Sequence, residues 1–330
     1  MGNNFIKGTF WNPLKKYALP IKFAVTLIVL TFIYLQLKGK ADFFDNLSKI
    51  ILEFRTDIKK RNLMVLVVIM MPLNWMIESK KWHYLTSKFC AISFLNAVKG
   101  TLSGLSFGII SPNRTGEFVG RVLFIPNKFR IRGVVASLLI SWSQLLITLI
   151  VGIIALLVLV FFKIQYDHFS LLFVGALLVL TFLLLVYFNL TKIGSFRFKS
   201  KRFKSIIYAL KVAKRFSFKS MSTILAFSFV RYLIFTAQYV ILLYVFSENF
   251  DLLNSVIFVP VSFIMNSIIP SITLAELGVR EMVGLKLSEI YYDDDVAVVL
   301  STLSLWIINI LIPSIVGALI ILTAKLFPDK

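Results

Sequence analysis

Two short charged motifs interrupt an otherwise apolar chain of 330 residues. Ile109–Arg121 reads IISPNRTGEFVGR, and Ile268–Arg280, offset by 159 residues, reads IIPSITLAELGVR. Aligned, Ile109 and Ile110 fall on Ile268 and Ile269, Glu117 on Glu276, and Arg121 on Arg280. Each copy is an apolar run, a proline break and then Glu-x-x-x-Arg on a new helical start. In the first, Ser111, Pro112 and Asn113 form the break. Ser111 suits an N-cap, and Pro112 suits the first helical position, where its missing N–H costs least. In the second, Pro270 and Ser271 form the break, and Thr273-x-x-Glu276 reads as a capping box. A helix N-terminus held at mid-depth in a membrane carries partial positive charge and binds anions. Arg114, Arg121 and Arg280 add full charges to it. The chemistry these residues suit is recognition of an oxyanion, such as the phosphate at the head of a lipid.

A competing role is open. Glu117/Arg121 and Glu276/Arg280 are i,i+4 pairs with the acid first, the better orientation, so each pair can simply neutralise itself. Ionisable residues inside a membrane nevertheless mark functional paths by default. Glu281 continues the second motif as either a proton carrier or a rim residue. Arg231, inside another apolar run with Gln238 two turns on, is either a second phosphate contact or a partner for an acid of the motif. Glu78 and His83 read as interfacial residues at the inner end of their run. Gln144, Asn266 and Asn309 read as interhelical hydrogen-bonding groups. One cysteine, Cys90, and two histidines leave neither a disulfide framework nor a metal site. With no nucleotide-binding glycine pattern and no nucleophile motif, no catalytic constellation and no cofactor are expected.

The elements that position these motifs are membrane spans. At 58% hydrophobic and 16% charged residues, with mean hydropathy +0.86, the chain is too apolar for a soluble domain. Its net charge of +20 lies beside the apolar runs, which points to cytoplasmic loops and anionic lipid rather than nucleic acid. Runs long enough to cross fall at 17–37, 62–79, 134–162, 169–190, 221–246 and 297–324. Two further runs, 92–111 and 253–270, end at the charged motifs. The connection 191–220 holds ten Lys/Arg and no acid, which places it in the cytoplasm. Counting outward from it, 127–133 and 80–91 are cytoplasmic only if 92–126 is a re-entrant hairpin. The acidic Asp293–Asp295 stays outside if 253–290 is one too. Both termini then lie in the cytoplasm. The expected fold is an all-α polytopic membrane protein, with six full spans and two re-entrant helical hairpins. Residues 1–165 and 166–330 form an inverted-topology repeat within one membrane domain. Broken helices that meet near the midplane are the usual site of a transporter built this way. Phe196–Lys219, with Phe203, Ile206, Ile207, Leu210 and Ala213 on one face, reads as an interfacial basic amphipathic helix.

Ser111-Pro112-Asn113-Arg114-Thr115-Gly116-Glu117, together with Leu277-Gly278-Val279-Arg280-Glu281 after a proline-ended run, resembles the lysylphosphatidylglycerol synthase transmembrane-region family, the flippase-like domain proteins. The similarity covers nearly the whole chain in length and span order. It implies a bacterial or archaeal plasma-membrane (inner-membrane) protein. In the best-known members this domain moves an aminoacylated phosphatidylglycerol between leaflets, while a separate soluble domain makes that lipid. Other members are attached to polyprenol-phosphate glycosyltransferases or stand alone. No synthetase part is visible in these residues, so the aminoacylating activity does not carry over. At Leu274-Ala275-Glu276 the chain departs from the Gly pair frequent in the family.

The function expected is therefore lipid translocation. An anionic or aminoacylated phospholipid, or a polyprenyl-phosphate-linked lipid, would enter between the hairpins with its phosphate on Arg114 and Arg280. Two alternatives stand beside it. One is a non-transporting partner or scaffold for a lipid-modifying or lipid-synthesising enzyme, held through 191–220. The other is a polyprenyl-phosphate-dependent glycosyltransferase using Asp42/Asp45 or Asp293–Asp295.

Overall fold

Asp57 opens the first described helix by accepting from the backbone N–H groups of Lys59 (2.8 Å) and Lys60 (3.1 Å). In the computed structural model the described residues are 48, 52, 56–109, 111, 114–164, 169–193, 212, 216–247, 250–268, 273–291 and 294–323. Of these, the side chains at 163–164, 169, 172, 190–193, 273–278 and 289–291 are outside the description. The chain divides into Met1–Glu53 and Phe54–Lys330, and every helix named below belongs to the second unit.

The helices are α1 (Ile58–Thr86), α2 (Phe94–Ile109), α3 (Gly116–Val122), α4 (Arg130–Leu159) and α5 (Phe169–Ile193). They continue as α6 (Phe218–Phe246), α7 (Leu252–Ile268), α8 (Thr273–Tyr291), α9 (Asp295–Trp306) and α10 (Ile312–Thr323). A 3-10 turn (Asn127–Phe129) leads into α4, and a π-helical turn (Ile307–Leu311) joins α9 to α10. Strands are absent among the described residues. Side-chain caps explain several starts: Ser217 accepts from Ser220 N–H at α6, Asp251 from Leu253 N–H at α7, and Asp294 from Ala297 N–H at α9.

Four stretches are long and apolar enough to cross a membrane: Ile58–Thr86, Asn127–Phe162, Phe218–Phe246 and Asp295–Thr323. They coincide with four of the six expected runs, within a residue at the C-terminal end of the last. The run 169–190 falls on α5, with a shorter apolar stretch at Phe173–Asn189. The run 17–37 lies outside the described residues, as does most of the basic segment 196–219. Large apolar side chains are exposed along α1, α4, α5 and α6, for example Val65, Ile154, Phe182 and Leu233. This is the surface that lipid tails would cover.

A glycine stripe seats α3 on α2. Gly100, Gly104 and Gly108 are four residues apart and share a helix face. A Cβ on Gly108 would lie 2.7 Å from Glu117 Cγ, one on Gly104 would lie 2.7 Å from the Glu117 carbonyl, and one on Gly100 would lie 2.9 Å from the Arg121 carbonyl. As the glycine number falls, the partner number rises, so α3 runs back along α2 as an antiparallel hairpin. Small residues allow this approach, and without it the charged motif could not lie flat on its own apolar arm.

The packing repeats between the halves. In the first half α1 packs on α2, α2 on α3 and α3 on α4; in the second, α6 packs on α7, α7 on α8 and α8 on α9. Across the halves α1 packs on α6, α2 packs on α10, and α7 packs on α4. Gly317 of α10 receives Leu102 and Ser106 of α2, and Gly152 of α4 receives Ile264 of α7. Each of these glycines lies eight residues after a buried or half-buried amide, Asn309 or Gln144.

Cys90, in the turn after α1, is a buried free thiol. Burial pushes it above the ordinary thiol range, against the opposing pull of the Lys128 ammonium. A neutral pH therefore leaves little thiolate. Maleimide labelling of the folded protein at pH 7 is expected to run at least about tenfold slower than labelling of the denatured chain, as read by mass spectrometry.

Candidate functional site

Asn74, Glu78 and Lys81 follow one another at i, i+4 and i+7 and share a face of α1. All three are buried. Glu78 is the hub of the charged cluster. Its Oε1 accepts from Arg121 Nη2 at 2.7 Å. Its Oε2 pairs with Lys81 Nζ at 2.7 Å and with Arg231 Nη1 at 3.4 Å. Arg121 Nη2 also lies 3.4 Å from Glu117 Oε2, and Glu117 Oε1 pairs with Arg114 Nε at 2.8 Å. Lys81 Nζ donates further to Gln144 Oε1 (3.3 Å) and Ser228 Oγ (3.1 Å), and Arg231 Nη1 to the same Gln144 oxygen (3.4 Å). The cluster thus ties α1, α3, α4 and α6 together.

Its balance is uneven. Among the described residues, four cations, Lys81, Arg114, Arg121 and Arg231, meet two carboxylates, Glu78 and Glu117. Glu78, Lys81 and Arg121 are respectively 4%, 0% and 2% exposed, so water does little to screen the surplus. The donor count leans the same way. Nε and Nη1 of Arg121, Nε of Arg231 and Nε1 of Trp306 have no acceptor among the described residues. Buried donors are normally paired, so these open donors suit an incoming anion rich in acceptors.

Arg114 takes φ +56°, the one non-glycine residue in the left-handed region among those described. Such a backbone costs about 1–2 kcal/mol for a side chain larger than Asn or Asp. The turn holding it is closed by Ser111 Oγ, which accepts from Gly116 N–H at 2.7 Å. Ser111 therefore does meet the start of the next helix, but α3 begins at Gly116 and not at Pro112. The reason is the left-handed Arg114, which cannot continue a right-handed helix through 112–115.

A cavity of about 40 Å³ adjoins the cluster. Arg114, Arg231 and Arg280 line it with Trp75, Phe235, Leu305, Trp306, Asn309 and Ile310. The guanidinium of Arg231 lies 5.0 Å from the ring centre of Trp75 and 5.1 Å from that of Phe235. Pro313 acts on the backbone of Asn309, which lines the cavity. It has no N–H to offer the Asn309 carbonyl one turn back, and the helix widens into a π turn there. The freed carbonyl accepts from Trp75 Nε1 at 3.1 Å, and Asn309 Oδ1 accepts from Asn74 Nδ2 at 3.3 Å. Arg231, Gln144 and Asn309 are residues 14 of 29, 18 of 36 and 15 of 29 in their candidate spans, so the site sits midway along them.

The expected residues are therefore brought together in large part. Arg114, Glu117, Arg121 and Arg231 share one network, and Arg280 reaches the same cavity from α8. Glu281 is buried beside it in sequence. Thr273 begins α8, while its side chain and that of Glu276 are outside the description, as are Pro112, Asn113, Pro270 and Ser271. The interfacial reading of Glu78 is corrected: its carboxylate is buried inside the protein against three cations. Lys81, Trp75 and Asn74 were passed over. For Asn74 and Lys81 the signal was the polar spacing 74, 78, 81 at the end of the apolar run within α1. Gln144 and Asn309 do bond between helices as expected, whereas Asn266 bonds within its own helix to the Ser262 carbonyl at 2.7 Å.

A fold that is all helical among the described residues, with four stretches long and apolar enough to span a membrane and a buried charge cluster between them, defines a polytopic membrane protein with an internal polar site. The family profile described as the lysylphosphatidylglycerol synthase TM region matches residues 21–317. The chain belongs to that family. No match was found among curated proteins or among solved structures.

Proposed function

We propose that the protein is a flippase-like lipid translocase that carries a phosphate-bearing lipid between leaflets, with the head group in the arginine-lined cavity and the tails in the bilayer. The observation that carries this reading is the meeting of three guanidinium groups, one from each charged motif and one from α6, at a cavity midway along the spans. Family membership supports a role in lipid metabolism or translocation. The exchange of packing partners between the halves supports an inverted repeat, because α2 leans on the last span of the second half and α7 on the last span of the first. In this reading α2–α3 and α7–α8 are the two re-entrant hairpins, the basic connection 191–220 faces the cytoplasm with both termini, and the membrane is a bacterial or archaeal plasma membrane. Asp294 and Asp295 are engaged in capping α9 and in a hydrogen bond from Ser288, which favours transport over a sugar-transfer site at that acidic cluster.

The test is a leaflet-exposure assay on reconstituted vesicles. Losing a charge-assisted hydrogen bond costs about 1.5–3 kcal/mol, or roughly tenfold and more in occupancy. An Arg114→Ala/Arg280→Ala double variant is expected to slow lipid movement by at least that factor. Unchanged movement in that variant would sink the proposal.

A further inference from the structure

Two donors at the cavity wall lie outside both charged motifs. Trp306, the residue just before the π turn, is 1% exposed, lines the cavity, and has an indole N–H with no acceptor among the described residues. Nε of Arg231, which lines the same cavity, is in the same state. A buried donor is costly to leave unpaired. Indole and guanidinium nitrogens only donate, so the partner that suits both is an acceptor and not a cation. The rest of Arg231 is already fixed. Its Nη1 faces Glu78 Oε2 and Gln144 Oε1 at 3.4 Å each, and its guanidinium lies against Trp75 and Phe235. Trp75 is itself pinned, because its indole N–H donates to the Asn309 carbonyl at 3.1 Å. A guanidinium held by one terminal nitrogen and by its face loses little freedom when Nε takes a ligand. At about 40 Å³ the cavity has room for roughly three waters, the size of one phosphoryl group and less than a diphosphate.

Resting on the translocase reading, we propose that Arg231 and Trp306 form the seat of the lipid phosphate, and that the ligand is a lipid with a single phosphoryl group and not a diphosphate. The phosphoryl oxygens accept from Arg231 Nε and from Trp306 Nε1. Arg114 and Arg280 add charge at the same wall, while Arg231 and Trp306 fix where the phosphate sits. The pairing of one charged and one neutral donor suits a site inside a membrane, because the indole adds a directional contact without another buried charge.

Purified full-length protein in detergent is titrated by calorimetry with short-chain phosphatidylglycerol, geranyl phosphate, geranyl diphosphate and inorganic phosphate. Saturable binding of phosphatidylglycerol and geranyl phosphate is expected. Trp306→Phe keeps the ring, and Arg231→Lys keeps a cation near Glu78 while removing Nε; each should weaken that binding about tenfold. Geranyl diphosphate is expected to bind at least about tenfold more weakly than the monophosphate. The indole N–H resonances of the wild-type protein, isotope-labelled at tryptophan, give a readout that needs no variant: one should move downfield as phosphatidylglycerol binds. Full affinity in either folded variant overturns the seat, and so does a wild-type titration in which no indole resonance moves or no lipid binds. Geranyl diphosphate that binds as tightly as geranyl phosphate overturns the single-phosphoryl class. Inorganic phosphate that binds as tightly as the lipids shows a free oxyanion as the ligand, and overturns the lipid. In vesicles, lipid movement that is lost in Arg114→Ala/Arg280→Ala but intact in Trp306→Phe and Arg231→Lys sinks this inference alone. Binding that depends on Trp306, with no lipid movement, supports the seat and sinks the translocase reading.

Discussion

Glu78→Ala is expected to lower the stability of the protein by about 3–5 kcal/mol, the cost of stranding a buried charge by removing its partner. The carboxylate accepts from Arg121, pairs with Lys81 and lies within ion-pair reach of Arg231, so its loss leaves three cations facing one another with Glu117 as the remaining acid among the described residues of the cluster. Repulsion, and not merely lost attraction, drives the effect. Thermal unfolding in detergent, followed by tryptophan emission, measures it. Glu78→Gln keeps the shape and removes the charge, and should cost nearly as much. A Glu78→Gln/Lys81→Met double variant should recover part of the loss, because it removes one surplus cation together with the acid. If the double variant is no more stable than Glu78→Gln alone, charge balance does not govern this cluster.

Gly120→Leu is expected to destroy the α2–α3 hairpin and the site with it. A Cβ at Gly120 would lie 2.5 Å from both the Cα and N of Gly104 and 2.6 Å from the Ser103 carbonyl carbon. Those are backbone atoms within a helix, so no rotamer change relieves the clash. Overpacking of this kind costs roughly 1–3 kcal/mol when side chains can yield, and more when they cannot. Even Gly120→Ala should lose lipid movement, because Arg121 beside it would be pushed from Glu78. Gly175→Ala is the control: nothing lies within 4 Å of its Cβ position, and alanine is the better helix former there by up to about 1 kcal/mol. Wild-type behaviour of Gly120→Ala in size-exclusion and movement assays would show that the hairpin is not packed as described.

Much of this was legible in the chain alone, and the limits have physical causes. Apolar length is a local property, so the spans at 62–79, 134–162, 221–246 and 297–324 could be read directly and are met by α1, α4, α6 and α9–α10. The doubled Glu-x-x-x-Arg could be read because a charge is costly in such surroundings wherever it points. The start of α3 could not, because it depends on the left-handed backbone of Arg114, a conformation that arginine's own propensity disfavours. Glu78 was misplaced for a related reason. Near a run of lysines at the end of a span, its sequence context is that of the interface, and only the approach of α3 and α6 buries it.

By itself the sequence determined the solvent this protein lives in, the positions of four long apolar helices, and the two charged motifs. Those follow from composition and from spacing along one chain. The tertiary structure decided which charges share a site. It set Arg121 on Glu78 across 43 positions, brought Arg231 and Gln144 together across 87, and let Pro313 free a carbonyl for Trp75. These contacts depend on where glycines let helices approach and where prolines leave backbone groups open. Electrostatic energy depends on distance through space, and the spacing of residues along a chain does not reveal it until the helices are packed.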